Sequence, residues 1–171
     1  METGGDVLVI GIGDGYRGDD GVGGYVVRAL RARSLTGVRV VEHTGEGCSL
    51  MDRWSGARLV FFADAVVSGA PPGAIHRFEP TAEPGPGFVG HMRSAHGFGL
   101  AEALALSRAL GRLPERLVIY GVEGREFGTG AGLSPEVQRS ADEVVRRIVS
   151  EIEEALLRRA PAHRVGGDVA S

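Results

Sequence analysis

The chain has no lysine; all 19 of its basic residues are arginines. That absence removes Schiff-base catalysis, a lysine general base and the lysine of a phosphate-binding P-loop. It has one cysteine, Cys48, so an intrachain disulfide and a cysteine-rich zinc site are both excluded. Cys48 itself reads as a small buried apolar residue rather than a nucleophile. No apolar run approaches the roughly 20 residues that cross a bilayer as a helix. The opening residues Met1 to Asp6 are polar and acidic, unlike a secretory leader, and the cytoplasm is the expected location. Positive charge is also short. Nineteen basic residues against 22 acidic ones leave a net charge of −3, without the basic face that nucleic-acid binding requires.

What is present is an ordinary globular balance, 43% hydrophobic and 24% charged over 171 residues. That length suits one domain with a sizeable core. The expectation is a single domain over residues 1–159 and a loose polar tail over 160–171. Short apolar runs at residues 6–10, 38–42, 59–63 and 116–122 read as strands: 6–10, stopped by Gly11, as one buried on both faces, 59–63 as the most apolar and 116–122 as another buried strand. Residues 74–78 read as an edge strand. Helical spacing appears from Val22 to about Arg33, over 49–54, and over 99–110. The last helix is the clearest. Ser134 is a good N-cap, Pro135 suits the first turn, and Val137, Ala141, Val144, Ile148, Ile152 and Ala155 follow at steps of three and four. Glu143–Arg147 and Glu154–Arg158 are i,i+4 pairs on its wet face. Residues 80–96 form a long proline- and glycine-rich loop, of a length often functional; His91 within it reads as solvated. Strands alternating with helices predict an α/β fold: three αβα layers around a twisted, mostly parallel sheet of about five strands.

In such sheets ligands bind beyond the carboxyl ends of the strands, which directs attention to residues 11–20, 42–47, 64–68 and 123–127. The first of these loops holds Gly13-x-Gly15-x-x-Gly18, a formal dinucleotide fingerprint, with Glu42 where a ribose-binding acid would sit. Asp14, Asp19 and Asp20 oppose that reading, because they crowd the helix N-terminus that must receive a pyrophosphate. One of Asp19 and Asp20 suits an N-cap; a second adjacent aspartate is not needed for capping. Asp64 follows an apolar strand with little local polarity to solvate it. His96 closes the long loop ahead of a helix. Asp20, Asp64 and His96 together form a mixed oxygen and nitrogen ligand set that suits nickel, zinc, manganese or iron. A non-catalytic nucleotide-binding or metallochaperone module is the alternative to an enzyme.

From Val7 to about Leu157 the chain resembles the hydrogenase maturation endopeptidases. Four segments carry the resemblance in order: Val7 to Asp14 with Gly18 to Gly23, then Phe62 to Gly69, then Ser94 to Leu100, then Val118 to Glu123 leading into Gly132 to Pro135. The resemblance implies an endopeptidase, a hydrolase of aspartic or metal-dependent type, that removes a C-terminal extension from a nickel–iron hydrogenase large-subunit precursor. It implies that Asp20, Asp64 and His96 bind nickel already inserted in that precursor rather than nickel held permanently. Asp20, Asp64 and Asp19 are the catalytic candidates, and hydrolysis is expected to draw either on the metal as Lewis acid or on a loop carboxylate, Asp19 or Asp14, as base. Two positions depart from the family pattern. Asp14 stands where asparagine is usual and Tyr16 where an aliphatic residue is usual, and His43 after the second strand adds a possible ligand.

Overall fold

The structure, a computed structural model, describes residues 6–81, 93–94, 100–130 and 132–159. His91, His96 and the 160–171 tail lie outside the described residues, as does the side chain of Cys48. In chain order the elements are β1 (Val7–Ile12), a single 3-10 turn (Gly18–Gly21), α1 (Val22–Arg31), β2 (Val38–His43), α2 (Gly47–Trp54), β3 (Leu59–Val67), β4 (Ile75–Phe78), β5 (Arg93–Ser94), α3 (Leu100–Ala109), β6 (Arg116–Glu123) and α4 (Pro135–Arg159).

The sheet runs β2-β1-β3-β6-β4, with the two-residue β5 paired to the far end of β3. The β1–β2, β1–β3 and β3–β6 pairs are parallel, and β4 and β5 are antiparallel to their neighbours. Successive strand residues alternate between two apolar layers. Val9, Phe61, Ala63, Val118 and Tyr120 face α1 and α4; Leu8, Ile10, Val60, Phe62, Leu117 and Ile119 face α2 and α3. Helices therefore cover both faces, the three-layer α/β arrangement expected. The α4 stripe is buried as its spacing predicts, with Val137, Ala141, Val144, Ile148 and Ile152 at most 2% exposed. Each such large side chain contributes roughly 1.5–3 kcal/mol of burial. The two pairs on its outer face form, Glu143–Arg147 at 2.8 Å and Glu154–Arg158 at 3.1 Å.

Two strand ends and one helix cap differ from the sequence reading for tertiary reasons. β1 continues through Gly11 to Ile12. Gly11 is a contact point, not a stop: a Cβ there would lie 2.1 Å from the Gly23 carbonyl oxygen, and one on Gly23 would lie 2.2 Å from that of Ile12. Two glycines thus let α1 lie directly on β1. β3 runs past Asp64 to Val67 because Glu123 of β6 pairs with Val66 and β5 pairs with Val66 and Val67. Neither Asp19 nor Asp20 caps α1; they lie inside the 3-10 turn, and the N-cap of α1 is Gly21, which makes no side-chain cap bond.

Candidate active site

β1 leads through α1 on one face of the sheet to β2, while β3 lies on the other side of β1. The strand order therefore diverges between β1 and β3, the place where open α/β sheets form a crevice beyond the strand ends. On β3, the pairing with β1 stops at Ala63, and the β5 pairing begins at Val66. Asp64 falls between them. Its alternation with Phe62 and Val60 sets it on the α2/α3 side. The 3-10 turn carrying Asp19 and Asp20 packs against β3. Asp19, Asp20, Asp64 and Glu123 are 0–3% exposed, and they are the buried carboxylates among the described residues. All four collect at this one end of the sheet.

Buried charge is costly unless it is paired or hydrogen-bonded, so the partners of these four decide what each can do. Asp19 is bound on every side. Its Oδ2 accepts from the backbone N–H of Arg125 and of Glu126, both at 2.8 Å, and from the Ser134 hydroxyl at 3.0 Å. Its Oδ1 accepts from the Ser134 N–H at 2.7 Å, and its own N–H donates to the Glu126 carbonyl at 2.7 Å. Gly18 permits that approach: at φ +57° it turns its backbone onto Glu126, where a Cβ would meet the carbonyl oxygen at 2.4 Å. Burial pushes the Asp19 carboxyl up, but the donors from Glu126, Ser134 and Arg125 outweigh it and hold the pKa below its ordinary value. Ser134, placed correctly ahead of α4, gives its hydroxyl to Asp19. A carboxylate so engaged is a strut between the first loop and the β6–α4 loop, and a weak proton acceptor.

Asp20 points elsewhere. Its Oδ2 accepts from the Asp14 N–H at 3.3 Å, and it borders an open cleft of about 630 Å³ walled by Tyr16, Arg17, Arg28 and Glu42. Asp14, exposed on the same cleft, uses Oδ1 to accept from the Tyr16 N–H at 2.9 Å. The loop amides that a pyrophosphate would take are thus already bound by the chain's own carboxylates, which disfavours the dinucleotide reading on geometry as well as on charge.

Glu123, to which sequence reasoning gave no role, is a second strut. Its carboxylate accepts from the Ser68 N–H and hydroxyl, both at 2.8 Å, and from the Gly69 N–H at 3.0 Å, with His76 Nε2 at 3.4 Å. Burial raises its pKa, but these donors outweigh it, for a net fall. Its signal in the sequence is the one Asp64 gives, an acid at the end of an apolar strand. His43 is committed as well: Nδ1 accepts from the Gly45 N–H at 2.9 Å, which leaves Nε2 to donate to Ser49 Oγ at 2.8 Å. Burial, helped by nearby Arg53, lowers its pKa, and both ring nitrogens are engaged between the end of β2 and α2. Among the described residues no three His, Cys, Asp or Glu side chains converge as a metal site; the third expected ligand, His96, lies outside them.

A family model described as hydrogenase maturation protease matches residues 25–151. The hydrogenase expression/formation protein HupD of Thiocapsa roseopersicina is 33% identical over 160 residues, covering 91% of this chain and 68% of that protein. The hydrogenase 2 maturation protease of Escherichia coli is 25% identical over 93% of this chain and 98% of its own. Among solved structures, the hydrogenase maturating endopeptidase HybD of Escherichia coli superposes with a TM-score of 0.75 at 25% identity, covering 87% of this chain and 93% of that one. The [NiFe] hydrogenase maturation protease HybD of Thermococcus kodakarensis gives 0.69 at 27% identity, covering 85% and 97%.

Proposed function

Because the chain belongs to the hydrogenase maturation protease family and is therefore a peptidase, we propose that it removes the C-terminal extension of a nickel–iron hydrogenase large-subunit precursor, in the cytoplasm, after nickel insertion. The observation that carries this reading is the gathering of Asp20 and Asp64, both buried, at the crevice between β1 and β3. Two carboxylates with an imidazole suit a borderline divalent metal such as nickel. In this reading Asp20, Asp64 and His96 contact nickel carried by the substrate, so that docking reports the metal is in place. No helix among the described residues is long and apolar enough to cross a membrane, in keeping with a precursor met in solution.

Hydrolysis needs water to attack the scissile carbonyl carbon, the C–N bond to break and the departing amine to gain a proton. Substrate nickel supplies Lewis acidity to a carbonyl that it touches. Of the two loop aspartates considered as base, Asp14 is the better placed. It is exposed on the cleft with one oxygen in a backbone hydrogen bond, whereas both oxygens of Asp19 are taken and its basicity is lowered. The distribution of roles is then Asp20, Asp64 and His96 on the metal, Asp14 on the water, and Asp19 behind them.

The deciding experiment is intact-mass analysis of the large subunit after incubation of its precursor with the purified chain. Nickel-loaded precursor is expected to lose its extension, nickel-free precursor to keep it, and Asp64→Ala protein to leave both uncut. Equal cleavage of the nickel-free form would overturn metal recognition. Nickel binding by the chain without any cleavage would replace the peptidase reading with the metallochaperone one.

A further inference from the structure

Tyr16 is the most exposed large hydrophobic side chain among the described residues, 82% open to solvent. Its backbone is nevertheless fixed on both sides. The Tyr16 N–H donates to Asp14 Oδ1 and its carbonyl accepts from the Gly130 N–H, each at 2.9 Å. The loop around it is pinned further by Asp19 on the Glu126 carbonyl at 2.7 Å. An aromatic ring offered to solvent from a held backbone loses little order when something packs on it, and a tyrosine supplies a large amphipathic contact with few rotatable bonds. The ring stands on the wall of the 630 Å³ cleft that reaches Asp20, a volume in the range of ligand-binding clefts. Arg28, in the same lining, is tied to Glu42 at 3.9 Å, while Arg17 forms no ion pair among the described residues. Gly13 and Gly15 also line the cleft, and a Cβ added at Gly15 would meet nothing within 4 Å.

We propose that this cleft is the docking groove for the stretch of precursor that carries the scissile bond, with Tyr16 as its aromatic anchor. The extended chain passes over Gly13 and Gly15 with one apolar side chain against the Tyr16 ring. The Arg17 guanidinium donates to peptide carbonyls, and the chain is led toward Asp20 at the inner end. This rests on the function proposed above and names the surface through which that function selects its substrate. An extended peptide is the occupant the groove suits, because the two glycines in its lining let a main chain approach and the polar lining of Asp14, Arg17 and Thr44 offers partners to its amides. Anchor residues of this kind typically dominate the energy of an interface while their neighbours exclude water.

The test is steady-state cleavage of the nickel-loaded large-subunit precursor encoded in the same genome, comparing wild type with Tyr16→Ala, Tyr16→Phe, Gly15→Phe and Asp64→Ala. Tyr16→Ala is expected to raise KM about tenfold with kcat within about twofold, the usual scale for a single anchor. Tyr16→Phe, which keeps the ring, restores the wild-type KM. Gly15→Phe projects a ring into the groove from a position with open space and blocks cleavage without moving the melting temperature. Wild-type KM in both Tyr16→Ala and Gly15→Phe would show the groove empty during the reaction and overturn the proposal. So would a fall in kcat alone in Tyr16→Ala. Should Gly15→Phe fail to fold, the Tyr16→Ala and Tyr16→Phe pair decides alone. In either case loss of cleavage in Asp64→Ala keeps the proposed function standing apart from the groove; no cleavage by wild type removes both.

Discussion

Two regions of this molecule hold buried or half-buried carboxylates, and they hold them by different means. Around the edge strand β4, the first half of β6 and α4, the acids are matched to arginines. Arg77 reaches Glu151 at 2.7 Å and Glu79 at 2.9 Å, Arg116 reaches Glu79 at 2.7 Å and Glu151 at 2.9 Å, and the Tyr120 hydroxyl donates to Glu151 at 2.5 Å. At the carboxyl end of the sheet, Asp19 and Glu123 are held by backbone amides and serine hydroxyls. The difference has a consequence for function. Flexible guanidiniums share their partners, so the cluster ties elements together without fixing any atom closely. Backbone donors are rigid, so Asp19 and Glu123 fix the loops between which a site must be built. Asp20 and Asp64 then sit at that held rim with a cleft beside them, and the proposal that they meet substrate follows from this contrast.

Breaking the contrast where it is sharpest gives the largest effect. Asp20→Asn keeps the size of the side chain and an acceptor for the Asp14 N–H, so the melting temperature is expected to stay within a few degrees. Processing of the nickel-loaded precursor is expected to fall by about 10³-fold, roughly 4 kcal/mol of barrier. A variant that processes normally would place Asp20 with Asp19 as a structural acid.

The neighbouring residue should respond in the opposite sense. Asp19→Ala leaves three backbone N–H groups and the Ser134 hydroxyl without their acceptor in a buried setting. Such losses are worth about 3 kcal/mol together, which for a chain of this size lowers the melting temperature by roughly 6–12 °C. The pH dependence follows from the direction of its shift. Both Asp19 and Glu123 have folded-state pKa values below their ordinary ones, near 3.8 and 4.5. Their contribution is therefore complete at neutral pH and lost as pH falls through the depressed values. Acid unfolding curves should show the gap between wild type and Asp19→Asn closing as pH drops below about 3.8. A gap constant with pH would mean that Asp19 acts by shape alone.

Most of the fold was legible because its signals are local. Apolar strand runs, helical spacing in α1 and α4, and the proline at Pro135 each specify an element within a dozen residues, and the βαβ alternation then restricts the sheet to a few arrangements. The rim was half legible for the same reason. Asp64 stands out as an acid after an apolar strand, and the Asp19-Asp20 pair holds one acid more than a cap needs, but the partners of Asp19 lie 106 to 115 residues away. No local pattern announces them. Asp19 and Asp20 look alike in sequence, both fit an N-cap, and the structure gives neither that duty. Gly11 misled in the same way. A glycine that ends an apolar run reads as a breaker, whereas here it is the point at which α1 touches β1. The two-residue β5 depends entirely on the overhang of β3, and nothing in Arg93 and Ser94 alone marks a strand.

The smallest expected effect tests the arginine side of the contrast. Arg77 is about a third exposed, and its removal leaves Glu151 with both Arg116 and the Tyr120 hydroxyl, and Glu79 with Arg116. Redundancy and solvent screening then limit the cost of Arg77→Ala to about 1 kcal/mol. Since a partly exposed pair is screened by salt, the difference from wild type in the denaturant midpoint should shrink as sodium chloride is raised to 1 M. The Asp19→Ala difference should persist, because the Asp19 carboxylate is fully buried and its donors are neutral amides and a hydroxyl. If the two variants lost stability equally and with the same salt dependence, the arginine cluster would be fixing its atoms as closely as the rim does, and rigidity would no longer single out the carboxyl end of the sheet as the place for the reaction.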